Sequence, residues 1–131
     1  MNSTTKKAAG GVLLSLANVQ RNYEQGGFVI EVLRDASLEV RGGEITALVG
    51  PSGSGKSTLL NIAGLLEKPS GGEVTIDGIA TSKLGIGKRG RLRGSHIGFV
   101  FQFHRLLPEF SALENVMTVS YTHLRAHETL N

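Results

Sequence analysis

Residues Gly50, Pro51, Ser52, Gly53, Ser54, Gly55, Lys56 and Ser57 form one uninterrupted run, followed by Thr58. The run fits G-x-x-x-x-G-K-[ST], and no other feature of the sequence limits the fold so tightly. It follows Ile45–Val49, which is apolar almost throughout and suits a strand buried on both faces of a parallel sheet. It precedes Lys56–Leu65, which has helical character, with Leu59, Leu60, Ala63 and Leu66 expected on one face. A strand before and a helix after are the context that gives the motif meaning.

The residue types explain the chemistry. Several phosphates bring several negative charges into a small volume. Backbone amides can wrap them only where the chain approaches closely, hence glycine at Gly50, Gly53 and Gly55. The helix that follows adds N-terminal amides and the positive end of its dipole. Lys56 supplies a full positive charge for the β- and γ-phosphates, Ser57 a hydroxyl for Mg²⁺, and Thr58 a bond to a phosphate oxygen. A plain strand-to-helix turn would need a glycine or two, but not a lysine followed by two hydroxyls.

The rest of the chain is organised around this loop. Met1–Gly11 reads as a disordered lead. Val12–Val19 is expected to be a strand, with a turn through Glu24-Gln25-Gly26-Gly27 and two further strands at Phe28–Leu33 and Ala36–Val40. Pro69-Ser70-Gly71-Gly72 ends the helical element, and Glu73–Ile76 is a short strand closed by Asp77-Gly78. Thr81–Gly94 is glycine-rich and basic, so any helix there is expected to be weak. Ile97–Phe101 is a second buried-strand candidate. Ser111-Ala112-Leu113-Glu114 has capping-box spacing, so a helix should begin there.

Composition excludes more than it assigns. The 131 residues are 40% hydrophobic and 19% charged, an ordinary globular balance. There is no cysteine, hence neither a disulfide framework nor a thiolate metal site. No apolar run reaches the ~20 residues that a membrane span requires. Lys6-Lys7 before Ala8–Ala17 only faintly mimics a signal peptide, since glycines break the stretch. The net charge is +3. Its excess clusters at Lys83, Lys88, Arg89, Arg91 and Arg93, which reads as a solvated face or mobile loop. No aromatic residues interleave with these cations, so nucleic acid is not an expected partner.

Recognition narrows the reading further. GPSGSGKSTLL at Gly50–Leu60, with VLRDASLEVRGGEITALVG leading into it, resembles the Walker A segment of ATP-binding-cassette proteins. The resemblance runs from about Leu14 to Val116. It implies an α/β fold of the P-loop NTPase class: an antiparallel β subdomain beside an incomplete RecA-like parallel-sheet core, over residues 12–118. It implies that Tyr23, in NVQRNY, stacks on adenine. It implies that Gln102, after IGFVF, is the Q-loop glutamine that touches Mg²⁺ and the attacking water. ATP and Mg²⁺ are the implied cofactors.

Within the family, AGLLEKPSGGEVTIDG (Ala63–Gly78) and QFHRLLPEFSALENV (Gln102–Val116) are similar to ATPase subunits of lipoprotein-releasing transporters. That similarity implies a peripheral position on the cytoplasmic face of the bacterial inner membrane and a second ATPase subunit as partner. It also implies membrane-spanning subunits contacted through Phe103, His104, Leu106, Leu107 and Phe110. The same apolar residues could instead be core of a helical subdomain. Macrolide-type efflux and cell-division ATPases share much of this pattern. A soluble, non-transport member of the family is the further alternative, and a small-molecule kinase or GTPase would not account for Tyr23 or IGFVFQ.

The sequence departs from the family in its second half. No LSGGQ-type signature, Walker B aspartate, catalytic glutamate or switch histidine follows Gln102, so the chain as written is expected not to hydrolyse ATP and to be poorly soluble or partly folded. Val119–Thr129, VSYTHLRAHET, reads as a direct translation of a transposase-type sequencing adaptor, so 119–131 is expected to be non-native. On that reading the spacing of His123 and His127 is accidental, and they receive no role.

Overall fold

A computed structural model describes residues 10–117. Residues 1–9 of the expected lead at 1–11, and the adaptor-like tail at 119–131, lie outside the described residues. The chain divides into two compact units, residues 1–98 and 99–131.

The first unit is built on a sheet of four antiparallel strands in the order β2-β1-β3-β4. They are β1 (Val12–Gln25), β2 (Phe28–Arg41), β3 (Gly71–Ile76) and β4 (Ile79–Ala80). The hairpin β1–β2 turns at Gly26-Gly27, where a turn was expected. The two strands foreseen at 28–33 and 36–40 are one strand. The polar pair Arg34-Asp35 is taken up as a bulge. β2 runs three residues, from Ala36 to Leu33, where β1 runs two, from Val19 to Arg21. A second irregularity sits at Asn18, which has φ 50°. Its amide donates to Ser37 Oγ at 2.9 Å and its side-chain Nδ2 to Asp35 Oδ1 at 2.9 Å, so the polar groups freed by the bulge are bonded. Gly11, placed by sequence in the lead, accepts from the Gly42 amide at 3.1 Å and extends the hairpin.

Helix α1 (Lys56–Ala63) packs on β1 and β2. Its buried face differs from the expected one. Leu59 and Ile62 are buried, Ile62 completely, whereas Leu60 and Leu66 are exposed. The helix stops at Gly64, and Leu65, at φ 60°, swings its side chain into the core beyond the last turn. The core joins Leu16 and Val19 of β1, Leu33 of β2, Val74 and Ile76 of β3, these α1 residues, and Leu92.

Leu92 belongs to α2 (Ile86–His96), which forms despite three internal glycines. Tertiary contacts override weak propensity here. Leu92 is buried, Arg93 Nη1 donates to Leu65 O at 2.9 Å, and Arg93 places a cation at the negative end of the helix dipole. The basic cluster is therefore neither a mobile loop nor wholly solvated: Arg89 is only 6% exposed. Burial, followed by the nearby Arg93, lowers its pKa, and Glu73 opposes them.

Neither apolar segment that read as a buried parallel strand forms one. Residues 45–49 have no ladder partners and are exposed, with Ile45 at 101%. Residues 97–101 likewise form no ladder, and Val100 is at 102%. Their composition suits a sheet interior, but among the described residues no strand lies beside them to complete one.

The described part of the second unit, 99–117, is a loop leading into a helix at 112–117. The capping box is present: Glu114 N donates to Ser111 Oγ at 3.2 Å, and Ser111 N donates to Glu114 Oε2 at 2.7 Å. Asn115 holds the loop to the helix. Its Oδ1 accepts from Leu107 N at 2.8 Å, and its Nδ2 lies 3.2 Å from Leu107 O and 3.1 Å from Phe110 O.

Candidate phosphate-binding site

The loop 50–57 turns directly into α1, as its residues predict. Ser54 N donates to Pro51 O at 3.2 Å, which tightens the middle of the loop. Gly53 (φ 80°) and Gly55 (φ 93°) occupy the left-handed region, and Gly55 is the residue preceding the first helical position. Gly55 is constrained twice. A Cβ there would lie 3.0 Å from Leu33 Cδ2 and 3.1 Å from Val32 O, so the loop is pressed against β2 at this point. The sheet thus fixes where the helix starts.

Helix geometry leaves the first amides of α1, those of Lys56, Ser57 and Thr58, without intrahelical acceptors. They point out of the N-terminus with the positive end of the dipole. Ser57 is exposed and Thr58 half-buried. The Lys56 ammonium folds back over the loop, donating to Gly50 O at 2.6 Å, Pro51 O at 2.7 Å and Ser54 Oγ at 3.3 Å. All three of its protons are in use, and the charge stands over the loop. The arrangement concentrates amide donors, a helix N-terminus and one ammonium around a single point. It suits a polyanion of phosphate size.

Tyr23 lies near the hairpin-turn end of β1 and is half-buried. It pairs across the hairpin with Ile30, two residues along β1 from Arg21, whose partner Leu33 lies beside Gly55. That spacing is about 7 Å along the strand. Sequence reasoning named Tyr23 but neither of its neighbours. Its hydroxyl donates to Glu67 Oε1. The Arg21 guanidinium lies 4.4 Å from the ring centroid, and Arg21 Nε donates to the same Glu67 oxygen at 2.7 Å. The Tyr23 hydroxyl contributes most to raising the Arg21 pKa. Burial opposes it and Glu67 adds to it. Glu67 is more than 40 residues from both partners in sequence, so no local pattern announces the contact.

Gln102 and the apolar residues after it belong to the second unit. Gln102 is exposed, as are Phe103, His104, Leu106, Leu107 and Phe110. Just before the glutamine, Phe101 stacks with Phe99 at 5.6 Å and 6°, and Arg105 lies 4.4 Å from the Phe101 ring. Among the described residues no group of three or more His, Asp or Glu could hold a metal ion, and no helix is long and apolar enough to cross a membrane.

Comparison with known proteins agrees with this geometry. A family model described as ABC transporter matches residues 33–131. The lipoprotein-releasing system ATP-binding protein LolD of Paramagnetospirillum magneticum is 60% identical over 104 residues, covering 79% of this chain and 46% of that protein. LolD 1 of Rhodospirillum rubrum is 58% identical over the same shares. The chain thus spans less than half the length of these relatives. A dimeric post-hydrolysis structure of the ATP-binding cassette MJ0796, bound to ADP and Pi, superposes with a TM-score of 0.74 at 46% identity, over 79% of this chain and 45% of that one. With a glycine-rich phosphate loop opening α1 and a family match across most of its length, the chain belongs to the ABC transporter family of ATP-binding cassettes.

Proposed function

We propose that the chain forms the nucleotide-binding part of the ATPase subunit of a lipoprotein-releasing transporter. The observation that carries the first half is the loop 50–57, its glycines set and its lysine poised at the N-terminus of α1. The loop amides and Lys56 bind the phosphates of ATP, Thr58 bonds a phosphate oxygen, and Tyr23 stacks on the adenine. Mg²⁺ prefers hard oxygen donors and keeps most of its waters, so the exposed Ser57 hydroxyl suits it, and Gln102 of the second unit carries an oxygen donor of the same kind. When bound, the ion neutralises charge between the β- and γ-phosphates. The sequence after Gln102 carries no LSGGQ-type signature, Walker B aspartate or catalytic glutamate, so the 131 residues by themselves are expected to bind ATP without turning it over.

The second half of the reading rests on identity to LolD proteins. The exposed apolar residues Phe103 and Leu107, with His104, face a membrane-spanning subunit at the cytoplasmic side of the inner membrane. A second ATPase subunit completes the nucleotide site, a reading supported by the dimeric structures of the similar cassette MJ0796. Two measurements test this. Calorimetric titration of the purified chain with ATP and Mg²⁺ should show saturable binding, and its absence would overturn the reading. Crosslinkers placed at positions 103 and 107 should capture the membrane-spanning subunits of a lipoprotein-releasing transporter. Capture of macrolide-efflux subunits alone would move the chain to that branch of the family.

A further inference from the structure

We propose that Arg21 and Glu67 are positioning residues for the nucleotide base. They lock the Tyr23 ring as a preset stacking surface and fasten it to the far end of the helix that holds the phosphates. The inference rests on the reading of Tyr23 as the residue that stacks on adenine.

The geometry fixes the ring at two points. Arg21 and Tyr23 are two apart on β1 and so share a face. The guanidinium lies against the ring at 4.4 Å, and the hydroxyl donates to Glu67 Oε1. That oxygen also accepts from Arg21 Nε at 2.7 Å, so one carboxylate oxygen closes the three residues into a ring of contacts. Both χ angles of the tyrosine are thereby held before any ligand arrives.

Glu67 is itself held by backbone. Leu66 N and Glu67 N both donate to Asn61 O, at 2.9 and 3.3 Å, wrapping the segment around the last turn of α1. Ser70 N donates to Gln20 O at 2.8 Å and Asn22 N to Ser70 Oγ at 2.9 Å, zipping the same segment onto β1. One helix therefore ends in both subsites: the phosphate loop at Lys56, and the support of the tyrosine just beyond Ala63. The eight residues of α1 set about 12 Å between these ends. Supporting contacts on rigid elements reduce the ordering that binding must otherwise accomplish.

A purely structural ion pair would look alike in the free protein, so the test separates base from phosphate. ATP and inorganic tripolyphosphate are titrated against the wild-type chain, Tyr23→Ala, Arg21→Met, Glu67→Met and Tyr23→Phe. Tyr23→Ala should weaken ATP and leave tripolyphosphate unchanged. No effect on ATP would remove the base-stacking reading, and this inference with it. Given that effect, Arg21→Met and Glu67→Met should each weaken ATP about 5- to 10-fold with tripolyphosphate unchanged. Unchanged ATP affinity, or a parallel loss for both ligands, overturns the positioning role while leaving the stacking role intact. Tyr23→Phe keeps the ring and removes only the bond to Glu67, so it decides the matter even where the other variants fail to fold. It should cost ATP about 3-fold and tripolyphosphate nothing, and an unchanged ATP affinity overturns the proposal.

Discussion

Lys56 spends all three of its donors on its own loop, on Gly50 O, Pro51 O and Ser54 Oγ. Binding of a triphosphate exchanges neutral carbonyls for charged oxygens, and the gain is the difference between the two sets of bonds. Lys56→Ala should therefore weaken ATP by at least about 100-fold in a direct titration, with little change in melting temperature, because the ammonium anchors nothing in the core. Near-normal affinity in that variant would refute the site. This part of the chain was legible in the sequence because every residue that makes the loop lies within eight positions of the next participant. The Tyr23 arrangement was legible only by half. The tyrosine could be singled out, but Glu67 arrives from the segment between α1 and β3, and nothing in either local stretch records that meeting.

Elements show a different kind of constraint. Gly72 (φ 82°), the second residue of β3, lies so close to β1 that a Cβ would be 2.3 Å from Asn18 O and 2.6 Å from Ala17 O. Neither backbone atom can yield without breaking the ladder, so Gly72→Ala should destabilise the fold by about 3 kcal/mol or more, read from thermal or urea unfolding. A change under about 1 kcal/mol would contradict the packing. The next residue controls the junction of β4 and α2. Glu73 Oε1 accepts from the Val74, Thr81 and Ser82 amides at 3.1, 3.0 and 3.0 Å, and its carboxylate accepts the Ser82 hydroxyl. Burial works to raise its pKa, but the hydrogen bonds from Ser82, Thr81 and Val74 outweigh burial and bring it below the ordinary 4.5. A carboxylate lowered on folding contributes stability that is complete above its unfolded value and is lost as pH falls through the folded one. Melting temperature should thus drop as pH falls below about 4.5, and Glu73→Gln should flatten that part of the profile. An unchanged slope in the variant would exclude Glu73 as the group responsible. Sequence pattern predicted β3 and its turn but not this junction, since it discounted α2 for its glycines. Leu92 and Arg93 stabilise that helix through contacts that propensity does not register.

For the molecule as a whole, the informative misreading concerns the segments 45–49 and 97–101. Their apolar runs state what environment each segment requires. They do not state whether a neighbouring strand is present, and among the described residues none is. Ile45, Val49 and Val100 therefore stand in solvent. Exposed apolar stretches of extended chain promote self-association. The purified chain should bind a hydrophobic dye strongly and sediment with a concentration-dependent mass. Replacing Ile45, Val49 and Val100 together by threonine should reduce both signals severalfold. A dye-silent, monomeric preparation of the unaltered chain would show that these segments are covered in solution.

The lysine folded over its own loop also bears on which ligands such a pocket admits. A cradle that satisfies its own cation is not an open electrostatic trap. It resembles a drawer held shut by an internal catch. A lone small anion resting on the helix amides leaves that catch engaged. Release of the ammonium requires phosphate oxygens that outcompete Gly50 O, Pro51 O and Ser54 Oγ, which a multiply charged phosphate chain does better than a singly charged anion.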